Sequence, residues 1–221
     1  MMIMIIYALI TIAIFGMWYY ARYEGNFLPS PKKTFNPMMI VAIVILVPGT
    51  QFAANFIANL TGYIRPDWLQ QYNELFETSG ITDTTFVTVL YSVILAPICE
   101  ELIFRGVTMR CARKALPFAL ANLMQAALFG LFHLNWIQGI YAFALGIVLG
   151  YVCERGGSIY YSMGLHLLFN LWGTLSGFFP DPGNSVVVFV IVIAVTIVSL
   201  VVGFVLFNKG RRKLPINSTG I

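Results

Sequence analysis

Five titratable side chains in otherwise apolar stretches have the clearest chemical potential: Glu100, Glu101, Arg105, His133 and His166. The other seven acidic residues lie in more polar segments, and these two histidines are the only ones in the chain. An ionisable group inside a bilayer costs about 2.5–3.5 kcal/mol on insertion scales. Groups on three predicted helices can share that cost by converging on one polar cavity, so we expect them to mark a functional site.

The spacing of the first three residues predicts different roles for them. Glu101 and Arg105 are i, i+4 neighbours, which stack on one face of a helix and can form an ion pair. Glu100 is rotated by about 100° from Glu101 and lacks that partner. Because one arginine cannot neutralise two acids, we predict a structural Glu101 and a Glu100 that is available as a general base. In the competing interpretation, Arg105 or a helix end neutralises both acids and no chemistry occurs.

Both histidines share a helix face with a second residue four positions away. Phe129 and His133 form one such pair, beside Gly130, which allows a neighbouring helix or a substrate to approach. His166 and Asn170 form the other. Alone, either histidine would more often be an interhelical hydrogen-bonding residue. Together with a carboxylate base they could supply a second proton-handling group and polar groups that hold an oxyanion.

The cysteines and the remaining small-residue motif point to packing. Cys99, Cys111 and Cys153 are odd in number and have no C-x-x-C spacing, so we expect neither disulfides nor a cysteine zinc site. Cys99 is interpreted as a small apolar core residue. Gly146 and Gly150 form a small-xxx-small pair that favours close helix packing.

The elements that position these residues follow from composition. The 221 residues are 59% hydrophobic and 10% charged, which is outside the usage of soluble globular domains. The apolar residues occur in runs, which indicates helices and not an outer-membrane barrel. We therefore predict an all-α polytopic transmembrane bundle with about seven spans and one or two interfacial helices. About 20 residues cross the hydrocarbon core. The predicted spans lie near residues 2–20, 37–59, 85–106, 117–134, 137–153, 158–177 and 186–208.

Three segments describe the predicted organisation within one membrane domain. They are N-terminal helices with an outside amphipathic loop (1–84), a catalytic core (85–177), and a final helix with a basic tail (178–221). Within the first, 62–84 has apolar residues at near-helical spacing, and we interpret it as an interfacial connector in preference to a substrate gate. A second short basic interfacial helix is expected at 107–116.

The distribution of basic residues predicts the orientation. Arg65 lies alone on one predicted side, and Arg105 lies inside a span. The other eleven of the thirteen basic residues share the opposite side: Arg22, Lys32, Lys33, Arg110, Arg113, Lys114, Arg155, Lys209, Arg211, Arg212 and Lys213. Since cytoplasmic loops carry the excess of Lys and Arg, we predict a multi-pass protein of the cell membrane with its N-terminus outside and its C-terminus cytoplasmic. The net charge of +4 is thereby explained, and nucleic-acid binding is not expected.

Three motifs in this order resemble the CAAX protease and bacteriocin-processing family. They are Glu-Glu-x-x-x-Arg at 100–105, Phe-x-x-x-His at 129–133 and His-x-x-x-Asn at 166–170. Members are intramembrane endopeptidases, also called the Abi family or type II CAAX prenyl proteases. The resemblance covers roughly 85–177. Each motif alone is weak, whereas three in consecutive hydrophobic segments are specific. The chain contains no H-E-x-x-H, G-x-S-G or G-x-G-D motif of other intramembrane proteases.

The resemblance implies two groups of site residues. In the catalytic group, Glu100 and His133 activate the hydrolytic water, while His166 and Asn170 stabilise the oxyanion of the tetrahedral intermediate. The supporting group holds the site together and comprises Glu101, Arg105 and Phe129. The resemblance also places the site toward the cytoplasmic side of the membrane.

The same residues leave a metal open as an alternative. Glu100, His133 and His166 could supply three ligands to a divalent metal such as Zn²⁺, with the fourth position left for water. They could equally serve as base and oxyanion donors without one. We favour a mechanism with no obligatory metal.

The expected substrate is a peptide or a membrane-anchored protein, in contact with membrane lipid. The resemblance links small bacterial members to bacteriocin maturation, self-immunity or surface-protein handling, and eukaryotic relatives to prenylated substrates. Two other functions use the same residues: a non-catalytic scaffold or immunity protein that binds a peptide partner, and a proton-coupled carrier. A carrier would show inverted repeats with broken helices at matching positions, and the sequence shows no such symmetry.

Overall fold

The computed structural model describes residues 2–21, 35–79, 85–176 and 185–211, and no strand occurs in these ranges. The helices are α1 (Met2–Tyr19), α2 (Pro37–Ile64), α3 (Pro66–Ser79), α4 (Phe86–Ala112), α5 (Phe118–Phe132), α6 (Trp136–Gly156), α7 (Ile159–Ser176) and α8 (Val186–Gly210). The predicted all-α architecture is confirmed. The predicted loop at 22–34 and the tail beyond 211 lie outside the described residues.

Five helices of this part of the chain are long and apolar enough to cross a membrane: α1, α2, α4, α6 and α8. Each of the seven predicted spans corresponds to a helix, but α5 and α7 do not meet both conditions. At 15 residues, α5 is shorter than the length that crosses the hydrocarbon core. Polar residues such as His166 and Asn170 lower the hydropathy of α7. The chain is therefore a polytopic helical membrane protein.

Helix α4 contains two wide π-helical stretches, Leu90–Leu95 and Leu102–Met109, on either side of the α-helical segment Ala96–Glu101. Both glutamates lie in that central segment. The predicted interfacial helix at 107–116 is wrong, because α4 runs unbroken to Ala112 and a turn follows. Arg110, within α4, donates to the Tyr19 hydroxyl of α1, and Arg113, in the turn, pairs with Glu154 of α6.

Helices α2 and α8 pack side by side through small residues. A Cβ on Gly203 would lie 2.6 Å from the Leu46 side chain, so only glycine allows this approach. Near Pro48, Ser199 Oγ accepts a hydrogen bond from the Gly49 amide at 2.9 Å and donates to the Ile45 carbonyl. A neighbouring helix thus supplies polar partners at a proline inside a membrane helix, as membrane proteins require.

Helices α5 and α6 form a close hairpin with glycine at their contact. A Cβ on Gly130 would lie 2.5 Å from the Gly139 carbonyl oxygen, and one on Gly146 would lie 3.1 Å from Ala126. The predicted packing roles of Gly130 and Gly146 are confirmed. This hairpin brings the end of α5, with His133, beside the start of α6.

The bundle has two distinct ends. At the basic end, where α4, α6 and α8 terminate, Arg113 pairs with Glu154 at 3.0 Å and Arg110 donates to the Tyr19 hydroxyl. At the other, called the α3 end, α3 lies across the termini of its neighbours. Trp68 of α3 stacks on Trp136 of α6 at a centroid distance of 5.3 Å. The segment 62–84 thus contains a helix, α3, where an amphipathic helix was predicted.

Candidate active site

The centre of the site is a buried group of three side chains from two helices. Glu101 Oε1 accepts a hydrogen bond from Arg105 Nη1 at 2.8 Å and lies 2.9 Å from His166 Nδ1. Glu101 and Arg105 are fully buried. The predicted i, i+4 ion pair is thus present. Since a paired carboxylate only accepts hydrogen bonds, His166 carries a proton on Nδ1.

Arg105 is held on its remaining sides by the α5–α6 hairpin. Its Nη2 donates to the Gly146 carbonyl at 3.3 Å, and Gln125 donates to the same oxygen at 2.8 Å. The guanidinium lies over the Phe129 ring, with Cζ 4.5 Å from the centroid. A buried cation needs such contacts because it has lost its hydration. The α5–α6 hairpin therefore positions Arg105, through the Gly146 carbonyl and the Phe129 ring, for its ion pair with Glu101.

Glu100 differs from Glu101 in both exposure and partners. Its side chain is 16% exposed, and its Oε2 lies 3.6 Å from Nε2 of His166. His166 thus faces both glutamates, one through each ring nitrogen. The predicted division between a paired acid and a less restrained acid matches the contacts that the two side chains make.

A cavity of about 850 Å³ brings together the four residues predicted to be catalytic: Glu100, His133, His166 and Asn170. Phe129 also lines this cavity, whereas Glu101 and Arg105 lie behind it. The converging polar faces expected from the sequence therefore meet in one place.

His133 ends α5, and its orientation comes from its own helix. Its Nδ1 lies 2.8 Å from the Phe129 carbonyl oxygen, so Nδ1 donates and Nε2 remains as the second ring nitrogen. The Phe129 ring contacts both histidine rings edge-on, at centroid distances of 5.0 and 5.7 Å. In the described ranges no direct hydrogen bond joins His133 to Glu100.

Asn170 is tied to α4 by a hydrogen bond that the sequence did not predict. Its Nδ2 donates to the Ser92 carbonyl at 2.8 Å. That carbonyl lies in the first π stretch, where the Ala96 amide bonds to Tyr91 instead. The next residue, Pro97, has no N–H to offer. The side chain of Asn170 therefore satisfies a carbonyl that the helix itself leaves free.

Three of the site residues, Glu100, His133 and His166, have side chains of the kind that bind metal ions. Across residues 2–21, 35–79, 85–176 and 185–211, no three His, Cys, Asp or Glu side chains are grouped so as to hold a metal ion. As arranged, Glu100, His133 and His166 line one cavity but do not form a ligand set. His133 uses its Nδ1 on the Phe129 carbonyl and His166 uses its Nδ1 on Glu101, so each histidine has only its Nε2 left for another contact.

The cysteines lie outside this chemistry. Cys99 is buried, and its thiol donates to the Ala8 carbonyl of α1 at 3.2 Å. Cys153 is buried and Cys111 is exposed, and all three are free thiols. The interpretation of Cys99 as a core residue is confirmed.

Sequence reasoning missed the second wall of the cavity. Gln51 of α2 lines it, is only 7% exposed, and has no hydrogen-bond partner for its Oε1 among the residues that the structure describes. Tyr72 and Leu75 of α3 line it as well, so α3 is more than a connector. Burial raises the pKa of the Tyr72 phenol, which therefore stays protonated at neutral pH. Gln51 could have been noticed from the sequence, because it is a polar residue within the apolar run of α2.

Fold and site together define a polytopic helical membrane protein that buries a Glu–Arg–His group beside a polar cavity. Residues 82–172 match the family model described as Rce1-like, type II CAAX prenyl endopeptidase. The matched segment includes all three motifs, and the match confirms the predicted resemblance to the CAAX protease family. The description of that family model names an endopeptidase. No curated protein and no solved structure gave a match.

Proposed function

We propose that the protein is an intramembrane endopeptidase that hydrolyses a peptide bond of a peptide or of a membrane-anchored protein. The observation that carries the proposal is the cavity shared by Glu100, His133, His166 and Asn170. A carboxylate, two imidazoles and an amide around one space are the groups that amide hydrolysis needs. The family match over 82–172 supports the same reaction class.

In the proposed mechanism, Glu100 and His133 activate a water molecule between them. Glu100 accepts a proton from the water as its oxygen attacks the carbonyl carbon of the substrate. When the C–N bond breaks, the same proton passes from Glu100 to the leaving amine, which completes the hydrolysis without any further reactant. The carboxylate is suited to this because it borders the cavity and has no arginine of its own.

The oxyanion of the tetrahedral intermediate is assigned to the opposite side of the cavity. His166 is fixed by the contact of its Nδ1 with Glu101, and its Nε2, which faces Glu100, is the nitrogen we assign to the oxyanion. Asn170 has a second amide hydrogen beyond the one given to Ser92. Arg105 pairs with Glu101, and the Phe129 ring packs edge-on against both imidazoles. These supporting residues position the reacting groups without touching the substrate.

The proposed reaction needs no obligatory metal, because the base and the oxyanion donors are side chains of the protein. The closing test is cleavage of a quenched-peptide panel by detergent-purified protein, with and without a chelator. We expect Glu100→Gln and His133→Ala to abolish cleavage while the fold persists. Glu154→Gln is the matched control, since Glu154 pairs with Arg113 at the basic end. Cleavage by Glu100→Gln at the wild-type rate would reject the role of Glu100, and inhibition by the chelator would reject the metal-free mechanism.

The second candidate is a non-catalytic scaffold or immunity protein that binds a peptide in the same cavity. It is favoured by Asn170, which already uses its amide on the Ser92 carbonyl. Under this function, Glu100→Gln would retain the cellular phenotype. Bacteriocin maturation, self-immunity and surface-protein processing are the proposed physiological contexts, in a multi-pass protein of the cell membrane.

A further inference from the structure

The basic residues of the described part of the chain are concentrated at one end of the bundle. Six of them lie at the basic end: Arg110, Arg113, Lys114, Arg155, Lys209 and Arg211. The opposite, α3 end has Arg65, which pairs with Asp67. By the bias of Lys and Arg toward cytoplasmic loops, the basic end is cytoplasmic and the α3 end is extracytoplasmic.

The cavity belongs to the α3 end. Its lining comes from the halves of the helices that face this end: Met4 of α1, residues within 51–58 of α2, within 88–100 of α4, within 138–145 of α6 and within 166–176 of α7, and Phe129 of α5 with His133 just after that helix. Two residues of α3 complete it. None of the six residues at the basic end lines it.

The cavity also reaches the surface at that end. Among its lining residues, Asn55, Leu75 and Ser176 are exposed: Leu75 lies on α3, Ser176 is the last residue of α7, and Asn55 lies in the half of α2 that leads to α3. At the basic end, by contrast, polar contacts join the termini. Asn36 donates to the Gly210 carbonyl at 2.8 Å, and its own amide donates to the hydroxyl of Tyr161.

We propose that the catalytic cavity opens to the extracytoplasmic face of the membrane. The substrate is then a peptide segment at the outer surface, or the outer part of a membrane-anchored protein. The nature of the substrate rests on the proposed function. The direction of access rests on the distribution of basic residues and on the position of the cavity. It reverses the cytoplasmic placement that the family resemblance implied.

Thiol labelling tests the direction of access without requiring any cleavage. In the full-length protein, the exposed Cys111 is replaced by serine, and single cysteines are placed at Ser176 in the cavity wall, Glu77 on α3 and Lys114 at the basic end. All three positions are exposed. Intact cells are treated with a charged, membrane-impermeant maleimide, and the labelled fraction is compared with that after lysis. The Cys111→Ser protein alone measures background from the buried thiols.

We expect Ser176→Cys and Glu77→Cys to label equally in intact and lysed cells, and Lys114→Cys to label only after lysis. Labelling of Lys114→Cys in intact cells would overturn the orientation. Labelling of Glu77→Cys without Ser176→Cys would overturn the opening of the cavity, and protection of both until lysis would overturn the whole inference. Because the assay is independent of activity, an inactive protein with the expected labelling would refute only the proposed protease function.

Discussion

Removing the charge of Glu101 without changing its size is expected to destabilise the fold strongly. At 2.8 Å, the Glu101–Arg105 pair is worth about 6 kcal/mol of Coulomb energy at an effective dielectric constant of about 20, before the cost of desolvation. Glu101→Gln leaves Arg105 as a buried cation without a counter-ion, and such losses cost about 3–5 kcal/mol. The contact with His166 is weakened at the same time. Glu101→Gln therefore acts on folding first and on activity as a consequence.

Thermal unfolding in detergent, followed through the fluorescence of the four tryptophans, measures this effect. For chains of this size the midpoint moves by about 2–4 °C per kcal/mol, so we expect a decrease of about 6–20 °C. Glu100→Gln is the matched comparison. Glu100 borders the cavity, has no arginine partner and makes only a 3.6 Å contact with His166 Nε2, so this variant should lose about 1 kcal/mol or less.

A double variant tests whether the lost stability comes from the unpaired charge of Arg105. Adding Arg105→Met to Glu101→Gln removes the unpaired charge and should recover most of the lost stability, since a buried pair can often be replaced by apolar groups at little cost. If Glu101→Gln unfolds at the wild-type temperature, Glu101 is not the counter-ion of Arg105. If the double variant is no more stable than Glu101→Gln, the loss does not come from the unpaired cation.

Three further variants test the oxyanion site, the hairpin and the second wall of the cavity. Asn170→Leu removes a proposed oxyanion donor and should lower kcat by about 10²–10³-fold in a peptide-cleavage assay, while an unchanged kcat would remove Asn170 from the mechanism. Gly130→Ala places a Cβ 2.5 Å from the Gly139 carbonyl oxygen and should cost about 1–3 kcal/mol in thermal unfolding. Gly164→Ala, where a Cβ meets nothing within 4 Å, is its control and should not destabilise. Gln51→Leu removes from the cavity an amide whose Oε1 has no hydrogen-bond partner among the described residues, and it should raise KM by about 2- to 10-fold with kcat retained, as expected for one lost hydrogen bond. An unchanged KM would contradict contact with substrate.

Much of the fold was predictable because apolar run length and helix periodicity are local properties. Seven apolar runs became seven helices, and α3 formed where an amphipathic segment was expected. The end of α4 was not predictable in the same way. The basic residues there suggested a separate interfacial helix. Instead α4 continues through Arg110, which donates to the Tyr19 hydroxyl of α1, and the turn that follows is held by the pair of Arg113 with Glu154.

The sequence by itself determined which ionisable residues lie within apolar stretches. It also determined the Glu101–Arg105 pair, because the two residues are i, i+4 neighbours on one helix. Only the tertiary structure decided that His166, 65 residues away, bonds to Glu101, that Asn170 meets the Ser92 carbonyl, and that Gln51 forms a cavity wall. The physical reason is that spacing assigns a residue to a face of its own helix. Which faces meet depends on how helices rotate and approach one another, and glycine contacts and side-chain packing set that arrangement.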